Sequence, residues 1–99
     1  MPENDLTQWL QHWYEKQCNG EREHTYGIAI KTLDNPGWGV EIDLRLTRYS
    51  DLSERTVVSD TSDGDWMTCR IRDQKFEGFG DPQKLEVILR TFRGWIEGA

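Results

Sequence analysis

The chain has 99 residues, of which 18 are acidic and 12 basic, giving a formal net charge of -6 at pH 7. A chain of this size forms one domain, and its acidic balance argues against binding of a nucleic-acid backbone, which takes a clustered excess of Lys and Arg. Residues 1–5 do not resemble a signal peptide, and no apolar run reaches the roughly 18 residues that a membrane helix needs. We therefore expect a single cytoplasmic domain, residues 1–99, with no membrane or nucleic-acid partner and with a preference for basic protein partners.

A first helix is predicted near the N-terminus from side chains that recur at helical spacing. Asp5 or Asn4 can cap this helix, and Asn19-Gly20 predicts its end, with Gly20 in the left-handed conformation at the C′ position. The stripe expected to face the sheet consists of Leu6, Trp9, Leu10, Trp13 and Gln17.

Two strands joined by a tight turn are predicted next. In the first, Tyr26, Ile28 and Ile30 form one buried face, and the second is the long alternating stretch at residues 38–47. The connection Asp34-Asn35-Pro36-Gly37 predicts a type II turn in which Gly37 has positive φ. This half of the chain is thus expected to fold as a β-hairpin.

Three further strands and a second helix are predicted from the C-terminal half. The strands fall at residues 55–59, 66–72 and 75–79, with a turn cluster at 59–65 and a tight turn at Asp73-Gln74. The alternation at 66–72 does not decide which of its faces is buried. Asp81 as N-cap and Pro82 at N1 predict the start of a helix with a strong apolar stripe.

The order of these elements predicts an α+β fold. We expect a mostly antiparallel β-sheet of about four to five strands, with the N-terminal and C-terminal helices packed side by side on one face. The stripe of the second helix consists of Leu85, Ile88, Leu89, Phe92, Trp95 and Ile96.

Residues that could support chemistry are few. His12, Cys18, His24 and Cys69 lack the spacing of a zinc site, so we expect no metal or cofactor and two reduced cysteines. His24 beside Glu23 is typical of a hydrogen-bonded junction between a helix and a strand. A pocket formed by Cys18, Glu23 and His24 stays open as an alternative that would make the chain a small enzyme or ligand-binding domain, although we expect no enzyme.

Acidic side chains form the other candidate site. The ordinary interpretation is a solvated surface that keeps a small protein soluble. The sharper hypothesis is electrostatic complementarity to a basic partner, which would speed association and select the partner. The residues proposed for that contact are Glu41, Asp43, Asp60, Asp63 and Asp65.

Several short motifs make the chain resemble the immunity protein 53 family of bacterial polymorphic toxin systems. They are Trp9-Leu10, Trp13-Tyr14, Gln17-Cys18-Asn19-Gly20, Glu23-His24, Tyr26-Gly27-Ile28, Thr32-Leu33-Asp34-Asn35-Pro36-Gly37-Trp38, Asp65-Trp66 and Phe76-Glu77-Gly78-Phe79-Gly80. The resemblance implies a cytosolic, non-enzymatic α+β protein that protects its producer by binding a cognate toxin domain. It does not name the toxin.

The resemblance also leads to two interface hypotheses. In the first, the acidic residues cover a basic active-site cleft of the toxin. In the second, residues 18–24 and Trp38 form a buried hot spot of the interface. The alternative role of these residues is structural, joining the first helix to the hairpin. The motif residues that are structural or interfacial are Trp13, Cys18, Gly20, Glu23, His24, Asp34, Asn35, Pro36, Gly37 and Trp38. Arg22 stands where an aromatic residue is usual, which predicts an altered surface contact, and Gln74 stands where glycine is expected.

Overall fold

The computed structural model describes residues 5–99, so the possible cap Asn4 lies outside the described residues. The elements in chain order are α1 (Leu6–Gln17), a short 3₁₀ turn (Arg22–His24), β1 (Ile28–Leu33), β2 (Gly37–Asp43), β3 (Arg55–Ser62), β4 (Asp65–Arg72), β5 (Lys75–Gly80) and α2 (Leu85–Glu97). The α+β prediction, with one helix at each end of the chain, is confirmed.

One five-stranded sheet runs in the order β1-β2-β5-β4-β3, and all neighbouring strands are antiparallel. Strands β1 and β3 are therefore its two edges. Both helices lie on one face, where the ring of Phe92 meets Trp9 at 6.0 Å and Trp13 at 5.0 Å between centroids. The expected junction of the two helix stripes is confirmed. No helix within residues 5–99 is long and apolar enough to span a bilayer.

The core lies between the helices and the three central strands. Phe76 from β5 sits at its centre, with its ring centroid 5.0 Å from Phe92 and 5.6 Å from Trp95. Complete burial of side chains of this size contributes about 1.5–3 kcal/mol each. The buried apolar residues are Trp9, Trp13, Val40, Ile42, Leu44, Met67, Cys69, Ile71, Phe76, Ile88, Leu89, Phe92 and Ile96.

The start of α1 is as predicted, and its end differs in detail. The Asp5 carboxylate accepts hydrogen bonds from the backbone N–H groups of Thr7, at 2.9 Å, and Gln8, at 3.3 Å, as an N-cap does. The C-cap is Cys18, so Gly20 lies at C″ rather than C′, although its φ of 95° is positive as expected. The prediction was wrong by one position because the chain leaves the helix in an extended conformation at Cys18.

The first hairpin forms, but three of its details differ from prediction. Ile30 is 42% exposed because β1 is an edge strand away from α2, which contacts β4 and β5. Strand β2 ends at Asp43, not Thr47, and the chain then turns at Arg45 and Leu46, where Leu46 has a positive φ of 63°. The Asn35–Pro36 peptide is cis and Gly37 does not have positive φ, so the type II turn prediction was wrong.

The second hairpin extends further than predicted. Strand β3 continues to Ser62, and the turn cluster expected at 59–65 shrinks to Asp63-Gly64, because Ser59, Asp60 and Ser62 pair with β4. In β4 the buried side is that of Met67, Cys69 and Ile71, which settles the open choice of face. The tight turn at Asp73-Gln74 is confirmed, with positive φ at both residues as in a type I′ turn.

Helix α2 begins at Leu85 with Lys84 as its N-cap, three residues later than the predicted N-cap at Asp81. The carboxylate of Asp81 accepts hydrogen bonds from the backbone N–H of Gln83, at 2.8 Å, and of Trp66, at 2.9 Å, and it also binds the Lys84 ammonium. Asp81 therefore joins β4 to the segment just before α2 instead of capping the helix. The apolar stripe predicted for α2 is confirmed.

Candidate functional site

The loop of residues 18–24 is held together by its own side chains. The Glu23 carboxylate accepts hydrogen bonds from the N–H groups of Asn19, at 2.9 Å, and Gly20, at 2.8 Å. The Asn19 side-chain oxygen accepts from the N–H groups of Glu21 and Arg22. Backbone N–H groups of Glu23 itself and of Asn19 hold the pKa of the Glu23 carboxyl below its usual value. The loop is therefore internally satisfied.

Arg22 fastens this loop to the end of β2. Its side chain is buried, its Nε donates to the carbonyl oxygen of Arg45 at 2.7 Å, and its Nη2 donates to the carbonyl oxygen of Asp43. The guanidinium also lies 5.9 Å from the ring centroid of Tyr26. The expectation that Arg22 alters a surface contact was wrong, because the side chain turns inward to backbone carbonyls.

The other motif residues divide between core and surface. Trp13 is a core residue, and the Nε1 of half-buried Trp38 donates to the carbonyl oxygen of Pro82 at 3.0 Å, joining the hairpin to the segment before α2. Gly37 is close to β5, since a Cβ placed there would lie 2.3 Å from the carbonyl oxygen of Gly80. His24 and the turn residues Asp34, Asn35 and Pro36 are exposed.

Two of the three residues of the alternative pocket, Cys18 and Glu23, bond to backbone groups close to them in sequence. The Cys18 thiol donates to the carbonyl oxygen of Tyr14 at 3.5 Å, and both Glu23 oxygens accept backbone N–H groups. Both cysteines are free, and burial raises the pKa of the Cys69 thiol to about 11. Within residues 5–99 no group of three or more His, Cys, Asp or Glu side chains is placed to hold a metal ion.

Three of the predicted acidic residues lie together at the end of the β3–β4 hairpin, which we call the acidic tip: Asp60, Asp63 and Asp65. Asp65 forms an ion pair with the Lys84 ammonium at 2.6 Å. The carboxylates of Asp60 and Asp63 are exposed and make no ion pair or hydrogen bond with any residue in the described part of the chain. They are therefore available to an external cation.

The two acidic residues on β2 are separate from the acidic tip. Strands β5 and β4 lie between β2 and β3, so Glu41 and Asp43 belong to another part of the sheet. Glu41 pairs with the Lys75 ammonium at 3.0 Å. Asp43 has a side chain only 13% exposed, and its carboxylate accepts the N–H of Arg45 at 3.0 Å. The structure thus divides the five predicted residues into two groups.

Strand β3 was predicted only at residues 55–59, and its full length and its exposed position at the edge of the sheet were not predicted. All eight of its residues are exposed, and Val57 and Val58 are 42% and 63% exposed on opposite faces of the sheet. It is an edge strand, and within residues 5–99 its only neighbour in the sheet is β4. Its Thr and Val content was the available signal, but the Asp and Ser residues that follow suggested a turn.

The fold defines a small α+β protein in which the edge strand β3 is exposed along its whole length and runs into the acidic tip. The model of the immunity protein 53 family matches residues 7–97, nearly the whole chain, so the chain belongs to that family. Membership is consistent with an antitoxin role and implies binding of a cognate toxin protein. No curated protein and no solved structure matches the chain.

Proposed function

We propose that this chain is an antitoxin that acts in the cytoplasm of its producer by binding a cognate toxin domain of a polymorphic toxin system and covering its active site. Membership of an immunity family supports the protective role. One observation supports the choice of binding surface. Asp60 and Asp63 are exposed and have no cationic partner in residues 5–99.

The acidic tip is suited to a basic toxin surface. Exposed charges at the rim of an interface attract the partner over a distance set by ionic strength, so they raise the association rate more than they strengthen the final complex. Asp65 is partly neutralised by Lys84, so Asp60 and Asp63 supply most of the attraction. The net charge of -6 adds a long-range field of the same sign.

The remaining acidic candidates are less suited to this role. Glu41 is already paired with Lys75, and Asp43 stabilises the turn that Arg22 anchors. An external cation would have to compete with these internal partners. We therefore centre the interface on the acidic tip and place Glu41 and Asp43 outside its centre.

The first test is co-expression of the chain with the toxin domain encoded immediately upstream of its gene, followed by co-purification and a growth assay. Wild-type protein should form a complex and restore growth. The double variant Asp60→Asn/Asp63→Asn should associate about tenfold more slowly at low salt and show a shallower dependence of the association rate on salt concentration.

A matched control removes the same two charges elsewhere. Glu15 on α1 and Asp51 in the loop before β3 are exposed and have no ion pair within residues 5–99. Glu15→Gln/Asp51→Asn therefore removes the same amount of negative charge as the tip variant without touching the acidic tip. Equal kinetics in the two double variants would show that only the overall charge matters, and would remove the proposed surface.

We propose no enzymatic role. The alternative pocket would need a free carboxylate beside a nucleophile or base. Glu23 uses both oxygens within its own loop, and His24 is exposed. Loss of protection in His24→Ala, with complex formation unchanged, would reverse this judgement.

A further inference from the structure

We infer that the toxin binds by adding an extended, basic segment as a sixth strand along the free edge of β3. This inference rests on the proposed function and specifies how the partner engages the same side of the molecule. It adds main-chain hydrogen bonding, which would supply affinity, to the charge attraction at the acidic tip.

The free edge of β3 has no partner in the described chain. An edge strand presents a row of N–H and C=O groups that point away from its only neighbour. Within residues 5–99 no backbone group of β3 bonds to anything other than β4. Every residue of β3 is exposed, so no helix or loop of the described residues covers the strand. The edge is therefore open to an extended segment.

Strand β3 has limited protection against strand addition. Natural edge strands are protected by charges, prolines, irregular pairing or short length. Here the irregular pairing lies between Asp60 and Ser62, and the guanidinium of Arg55 lies over the Trp95 ring at 4.3 Å. The four residues between them, 56–59, are uncharged and pair regularly with β4. Pairing of a partner strand would centre on these four residues.

The opposite edge is a poorer site for the same segment. Strand β1 has six residues instead of eight and carries exposed Lys31 within it. A lysine on an edge strand discourages pairing, and it would repel a basic segment. On β3, by contrast, Asp60 follows directly after residues 56–59, and Asp63 lies just beyond the strand.

The side chains of β3 indicate what the partner segment should contain. Val57 and Val58 project to opposite faces, so alternate residues of an added strand would pack beside one or the other. Lys or Arg at the end of the segment that lies by Asp60 would complete the contact. A second copy of this chain is a poorer occupant, because each copy carries a net charge of -6.

A proline scan of residues 56–59 tests the inference. In an antiparallel edge strand the N–H groups point alternately towards and away from the neighbour, so two of the four prolines remove only outward N–H groups. Those two variants should melt close to alanine variants at the same positions and yet bind the toxin domain at least about tenfold more weakly. The alanine variants, which keep the N–H, are the matched controls.

Hydrogen–deuterium exchange on the wild-type complex gives a second readout. Amides of Arg55–Ser62 should gain protection when the toxin domain binds, whereas those of Ile28–Leu33 should not. Suppose that the wild type binds the toxin domain, that the two variants with proline in place of an outward N–H bind it as tightly as their alanine controls, and that β3 gains no protection. Strand addition is then refuted and the antitoxin function stands. If the wild type forms no complex, the function fails together with the inference. Self-association that protects β3 in the free protein would identify a second copy as the occupant and also refute the inference.

Discussion

Replacement of Arg22 by Met tests whether residues 18–24 brace the fold or contact the partner. The change keeps an unbranched side chain of similar length and removes the guanidinium that donates to the carbonyl oxygens of Arg45 and Asp43. Hydrogen bonds from a charged donor contribute about 1.5–3 kcal/mol each. Removal of a buried charge returns part of its desolvation cost, so the expected net loss is about 2–4 kcal/mol.

The loss should be visible in a thermal melt. For a domain of about 100 residues, 1 kcal/mol corresponds to roughly 4–8 °C, so Arg22→Met should lower Tm by about 10–30 °C. Arg90→Met is the control, because Arg90 is 62% exposed and pairs only with Glu86 one helical turn away. Such a surface pair contributes about 0.5 kcal/mol or less.

The two possible roles give opposite results. If Arg22→Met melts within about 3 °C of Arg90→Met, the buried guanidinium does not anchor the loop and the reasoning from its two carbonyl contacts is wrong. His24→Ala supplies the complementary measurement, because His24 is exposed beside Arg22. Its melt should be unchanged, and so should its toxin affinity. A weakened complex with an unchanged melt would favour residues 18–24 as the interface.

Two further predictions concern the packing of α2. A Cβ at Gly78 would lie 2.3 Å from Cγ2 of Ile88, so Gly78→Ala should reduce the unfolding free energy measured in a urea titration by about 1–3 kcal/mol. Gly64→Ala is the control. A Cβ at Gly64 has no atom within 4 Å, so this change should alter the unfolding free energy by about 0.5 kcal/mol or less. The Lys84 ammonium lowers the pKa of Asp81 to about 2, so the carboxylate stabilises the fold above its ordinary pKa of about 4 and that contribution is lost as pH falls towards 2. Asp81→Asn should therefore show a flatter dependence of Tm on pH between about 2 and 4 than wild type, and parallel curves for the two proteins would refute the assignment.

The predictions that succeeded rest on local signals. Asp5 caps α1 through N–H groups two and three residues away, and the stripe of α2 is set by helical periodicity alone. The Asp73-Gln74 turn likewise depends on a few neighbouring residues. Information confined to one element was enough to predict that two helices and several strands form, although not every boundary.

The predictions that failed depend on contacts between distant segments. Asp81 has the local sequence of an N-cap, but Trp66, fifteen residues earlier, donates to its carboxylate. Residues 59–62 have the composition of a turn, yet they continue β3 because β4 supplies partners for them. Arg22 sits among polar residues, and nothing nearby indicates that the carbonyls of Asp43 and Arg45 will enclose it. Tertiary contacts decided each case against local preference.

If the toxin binds along β3 as proposed, the sheet order separates the residues that stabilise the fold from those that recognise the partner. The motif residues Trp13, Glu23 and Trp38 make internal contacts that join the helices, the 18–24 loop and the first hairpin. Strand β3 lies at the opposite edge, and its side chains are exposed on both faces. Substitutions at residues 56–59 that preserve strand pairing should therefore change stability by only about 0.5 kcal/mol. With the proposed interface on β3, the fit to a toxin could change there while the core and the braced loop stay the same.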